Sequence, residues 1–173
     1  MSTVLFAIPS DFNYVLSATG AAIAVFHLTG LLLSFTRASI FGNTDNDQAF
    51  LADVKKQGPQ GEELPPIPKY GYPDDGSGRF AKALTYVNWV KFNKAIRGYL
   101  NYNEQIVCYT VSILLCGLYK PMWAFWAGLT IALGRLIYYL GYAYINFGVM
   151  MVGELPAHLA MLFNFGVFIY HLF

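Results

Sequence analysis

Charge is what this sequence has least of. Only 12% of its 173 residues are Asp, Glu, Lys or Arg, about half of the roughly 25% in an ordinary soluble domain. That is too little to cover a globule of this size in water. Eleven basic and ten acidic side chains leave a net charge of +1, so the one-sided basic surface that grips nucleic acid is missing and no nucleic-acid partner is expected. Cysteine is nearly absent too. Cys108 and Cys116 lie eight apart in one apolar run, about 12 Å along a helix, beyond disulfide reach, and are expected to pack as small hydrophobes. There is no Gly-rich phosphate loop, nucleophile elbow or HExxH. Of the three histidines, His158 and His171 are thirteen apart, about 220° around a helix, so they cannot share a ligand. No metal site is expected, and a bis-histidine haem joining His27 to one of them is the minor alternative.

What is present is apolar surface: 56% hydrophobic residues and thirty aromatics, which exclude disorder and point to the bilayer as solvent. Between Asp11 and Arg37 run 25 residues without an acid, Lys or Arg, and about 20 suffice to span. Small residues from Ala18 to Ala24 suit close helix packing in lipid. Asn43 to Arg79 then holds five Gly, five Pro and seven acids in 37 residues. It reads as a long polar loop, extended around Leu64 to Pro68. Phe80 to Lys94 reads as an interfacial helix start, with Tyr86 and Trp89 at headgroup level. The chain is apolar again from 97 to 119 except for Glu104, and from Pro121 to Gly153 except for Arg135. Glu154-Leu155-Pro156 is expected to open a last helix, since Pro suits a first turn.

The expectation is therefore an all-α integral membrane protein, one four-helix bundle over residues 1–173. Its spans fall near 12–36, 97–119, 121–143 and 155–173, with the polar loop 43–79 between the first two. Nine of the eleven Lys and Arg fall between Arg37 and Arg97, which places that connection on the cytoplasmic or equivalent side, with both termini opposite it.

Two charges lie deep in apolar segments, Glu104 and Arg135. A lone charge at the bilayer centre costs about 2.5 to 3.5 kcal/mol, so each should face protein and have a partner. Arg97, Asn101 and Glu104 (i, i+4, i+7) make one stripe on the second helix, and Arg135, Tyr138 and Tyr142 (i, i+3, i+7) one on the third. The tight Lys120-Pro121 turn makes the two helices antiparallel neighbours, so Glu104 and Arg135 are expected to face each other, within the chain or across a subunit boundary.

Arg97-Gly98-Tyr99-Leu100-Asn101-Tyr102-Asn103-Glu104 resembles the R-x-H-x-N-x-x-E signature of the MAPEG family, the membrane-associated proteins in eicosanoid and glutathione metabolism. Arg135 to Tyr142 resembles that family's R-x-x-[YH]-x-x-x-Y segment on the next helix. The resemblance implies a homotrimer of four-helix protomers with glutathione bound between subunits. Arg97, Asn101, Glu104, Arg135, Tyr138 and Tyr142 would hold the glutathione-contacting or site-organising positions. Arginine forks suit the tripeptide's carboxylates, and a carboxylate its ammonium.

The departures are equally specific. Family enzymes carry an arginine about seven to nine residues past the position of Tyr142, thought to stabilise the thiolate. Here those positions are Val149, Met150 and Met151, no Lys or Arg follows Arg135, and Tyr99 replaces the signature's His. Without a nearby cation a thiol keeps its pKa near 8.5. The sequence thus implies a catalytically degenerate scaffold, an accessory subunit of a larger membrane assembly, with no catalytic residue named. A mitochondrial inner-membrane complex is one natural host, the endoplasmic reticulum the other setting. The alternative is an active glutathione-dependent transferase, peroxidase or isomerase on lipophilic substrates.

Overall fold

The structure, a computed structural model, describes residues 8–42, 50–52, 56 and 69–173. Four long helices make up most of it: α1 (Phe12–Phe41), α3 (Tyr86–Gly117), α4 (Pro121–Tyr144) and α5 (Phe147–Tyr170), with a four-residue α2 (Arg79–Lys82) before α3. No strand occurs among the described residues. By length and apolar composition α1, α4 and α5 could cross a membrane. The segment 97–119, expected as a fourth span, lies in α3 as far as Gly117, and the run Asn101-Tyr102-Asn103-Glu104-Gln105 dilutes its apolar character.

Each helix runs against its chain neighbour. Near the start of α1, Val15 fills the space that a side chain at Gly117 would need, close to the end of α3. At the other end of the same pair, Phe41 meets Phe92 edge to face at 5.1 Å. Inside, Val15, Ala18 and Ala22 of α1 pack with Tyr102, Tyr109, Ile113 and Cys116 of α3, Ala124 and Ile131 of α4, and Val167 of α5. Cys116 is buried as expected, whereas Cys108 is exposed on α3; both thiols are free.

The last helix corrects the sequence reading: α5 begins at Phe147, not at Glu154-Leu155-Pro156. Asn146 caps it, its side-chain oxygen accepting from the Val149 N–H at 3.0 Å. Pro156 sits inside the helix, where it removes the backbone bond toward Val152; packing against α4 outweighs that loss. Only Ile145 and Asn146 separate α4 from α5. The two helices meet backbone to backbone, since a Cβ on Gly134 would fall 2.6 Å from the Gly153 carbonyl oxygen, and one on Gly153 would strike the Gly134 carbonyl. This close approach aligns the middle of α4 with the first turns of α5.

Of the polar loop 43–79, residues 43–49, 53–55 and 57–68, including the Pro-rich Leu64 to Pro68, lie outside the described residues. Its last part is clasped to α1. Buried Arg37 donates from Nη2 to the Asp74 carbonyl at 2.5 Å and from Nη1 toward the Tyr70 and Gly71 carbonyls at 3.4 and 3.5 Å. Its guanidinium lies between the rings of Tyr72 (4.2 Å) and Phe92 (4.7 Å). The Asp74 carboxylate accepts from the N–H groups of Gly76, Gly78 and Ala81 at 2.8, 2.9 and 2.7 Å, tying the turn to α2. Next to it, the Ser77 hydroxyl and N–H hold the exposed Asp75 carboxyl below the usual carboxylate range.

Candidate functional site

The centre of the helix packing is polar. Arg135, in the middle of α4, is 0% exposed, a side chain that lipid or protein tolerates only when its donors are met. Its Nη1 donates to Glu154 Oε2 of α5 at 2.5 Å and its Nη2 to Asn101 Oδ1 of α3 at 2.5 Å. Three tyrosine rings enclose the guanidinium: Tyr138 at 4.2 Å, Tyr102 at 4.9 Å and Tyr109 at 5.6 Å from its central carbon. Electron-rich faces around a desolvated cation add to its stabilisation. Among the described residues Nε alone of the three nitrogens has no hydrogen-bond partner.

The network continues outward. Glu154 Oε1 lies 3.5 Å from His158 Nδ1, one turn further along α5, and that nitrogen is also 3.1 Å from the Glu154 carbonyl oxygen. The His158 ring meets Tyr109 edge to face at 5.9 Å. Tyr109 donates to Gln105 Oε1 at 2.6 Å, and Tyr102 to the Ala22 carbonyl of α1 at 2.7 Å. All four long helices thus meet at one charge-neutral cluster, whose arginine is held by a carboxylate and an amide of the chain itself. In chemical terms it is a closed ion pair, with the two terminal amino groups of the guanidinium occupied.

The two expected stripes fare differently. That of α4 points inward: Arg135 and Tyr138 are buried, and Tyr142 is half-buried, stacked on Tyr138 at 5.9 Å. That of α3 is split. Asn101 turns to Arg135, but Arg97 and Glu104 are exposed and neither has a hydrogen bond or ion pair among the described residues. The expected facing of Glu104 and Arg135 within the chain is therefore corrected. The inward face of α3 is set by Ala95, Gly98, Tyr102, Tyr109, Ile113 and Cys116, and Glu104, two residues past Tyr102, is about 200° from it. The carboxylate that does serve is Glu154, which sequence reasoning used only as a helix marker. A signal was present: beyond Lys120 the chain has just two charges, Arg135 and Glu154.

The sequence profile of the MAPEG family matches residues 15–170. The chain belongs to the MAPEG family. No curated protein and no solved structure matches it. In this MAPEG chain, Tyr99, which stands where the signature has His, stacks on Phe26 of α1 at 5.3 Å and lies against Gly30, so it serves helix packing. Val149, Met150 and Met151, where an arginine would stand, form the start of α5. Met150 lies so close to Gly141 that a Cβ there would strike its backbone.

Proposed function

We propose that this MAPEG-family membrane protein is a multi-pass scaffold, a four-helix accessory subunit of a larger membrane assembly and not a working glutathione enzyme. The observation that carries the reading is the state of Arg135: buried, paired with Glu154 and bonded to Asn101, so that its fork is spent on the chain's own groups. A thiolate needs an uncompensated cation beside it, and no Lys or Arg follows Arg135 in the chain. The exposed Arg97 and Glu104 on α3 are then contacts for neighbouring subunits, since a carboxylate facing hydrocarbon would oppose insertion. An energy-transducing membrane such as the mitochondrial inner membrane is a fitting host.

Calorimetry on the purified protein tests this. No heat of binding is expected at millimolar glutathione; micromolar affinity with turnover of a lipophilic electrophile would overturn the scaffold reading.

One observation favours a second reading, an active glutathione-dependent transferase, peroxidase or isomerase. Arg97 and Glu104 have no hydrogen bond or ion pair among the described residues, and across the boundary of a homotrimer they would offer a guanidinium and a carboxylate to the tripeptide's carboxylates and ammonium. On this reading Arg97→Gln abolishes a measurable glutathione affinity; on the scaffold reading there is none to lose.

A further inference from the structure

Far from the Arg135 cluster, α4 and α5 form a second feature. Gly134 and Gly153 draw them together toward the Ile145-Asn146 connection. Toward the start of α4 and the end of α5 the side chains are large, and two adjoining cavities of about 460 and 400 Å³ lie between them, sharing Trp123 and Phe163 as walls. The first reaches Lys120 and Tyr170; the second runs down to Ala127 and Thr130. From Lys120 to Thr130 is about 15 Å along the helix, close to the depth of one leaflet's hydrocarbon.

The groove has a head and a tail. At its mouth the half-buried Lys120 ammonium lies 5.8 Å over the Trp123 ring and has no hydrogen bond or ion pair among the described residues. No acidic residue lines either cavity. Below the mouth the lining is aromatic and aliphatic, and Gly166 leaves open space: a Cβ there would meet no atom within 4 Å. An unpaired cation at the aqueous end of an apolar slot one leaflet deep matches an anionic amphiphile delivered by the bilayer itself.

We propose that this groove is a binding site for an anionic phospholipid, its phosphate at Lys120 and one acyl chain lying along Trp123 and Phe163, over Gly166, toward Thr130. The second chain stays in the surrounding bilayer, to which the groove is open. The site is independent of the glutathione question, because it shares no residue with the Arg135 cluster.

Native mass spectrometry of the detergent-solubilised full chain, titrated with phosphatidylglycerol, phosphatidylcholine or stearate, tests it. The first phosphatidylglycerol should be retained about fivefold better than phosphatidylcholine. Lys120→Gln should remove that preference, and Gly166→Leu, which fills open space without touching the fold, should weaken retention of both phospholipids. Equal retention of the two phospholipids, unchanged by Lys120→Gln, would mean annular lipid only and overturn the site. So would preferential capture of stearate, or a change of oligomeric state with Gly166→Leu, which would identify a second copy of the chain as the occupant.

Discussion

At the residue scale the decisive interaction is Arg135 with Glu154. Removing one member of a buried pair leaves the other uncompensated, at a cost of about 3 to 5 kcal/mol, whereas replacing both with apolar groups of similar volume is close to neutral. Glu154→Gln should therefore destabilise the protein by about 3 kcal/mol, and Arg135→Leu by at least as much because it strands Glu154. The double replacement Arg135→Met with Glu154→Leu should recover most of the loss, a non-additivity expected of residues in contact. Glu104→Gln, exposed on the protomer, should stay within about 0.5 kcal/mol. Unfolding in mixed micelles measures all four, and equal losses for Glu104→Gln and Glu154→Gln would sink the assignment. The sequence marked Arg135 as a residue needing a partner, since composition alone shows a lone charge in an apolar run. It did not identify the partner. With the last helix started at Glu154, that carboxylate stood at the interface; starting it at Phe147 carries Glu154 two turns inward, to the level of Arg135.

At the element scale two joints hold the helices in register. The first is the glycine contact of α4 with α5. Gly153→Leu would drive a branched side chain into the Gly134 carbonyl and should abolish recovery of folded protein, while Gly20→Leu on α1, where a Cβ meets nothing within 4 Å, should leave it unchanged. Monodisperse elution in detergent distinguishes them. The second joint is the Arg37–Asp74 clasp. Asp74→Ala leaves three N–H groups without their acceptor, about 1 kcal/mol each. Because the turn is peripheral, the effect should be local: amide exchange over residues 74–82 accelerates while that of α4 and α5 does not. Helix existence was legible in the runs without charge. Helix ends were not, because a proline reads as a start by its missing N–H, while Asn146 and the packing of Gly153 decide where α5 begins.

At the scale of the whole molecule, charge is distributed end to end. The Arg37-to-Arg97 region holds nine of the eleven basic residues, and much of it gathers where α1 ends and α3 begins; Lys120 lies at the opposite end, between α3 and α4. If all four long helices cross the bilayer, Ser77→Cys and Lys120→Cys lie on opposite sides. With the basic loop on the cytoplasmic or equivalent side, as its excess of Lys and Arg predicts, an impermeant maleimide applied from outside should label Lys120→Cys directly and Ser77→Cys only after permeabilisation. Labelling of both from one side would overturn the four-crossing arrangement.

The sequence by itself determined the solvent and the scarcity of charge. Long runs without ionisable groups can fold only as helices in or against an apolar medium, since backbone groups there must bond within their own segment. It also determined that each isolated charge needs a neighbour. Which neighbour was a matter of three-dimensional proximity: small residues on α4 and α5 allow their backbones to touch, and that contact, not spacing along the chain, puts Glu154 beside Arg135. The same tertiary arrangement turned Arg97 and Glu104 outward, because a helix can bury only one face and the aromatic and small side chains of α3 claimed it.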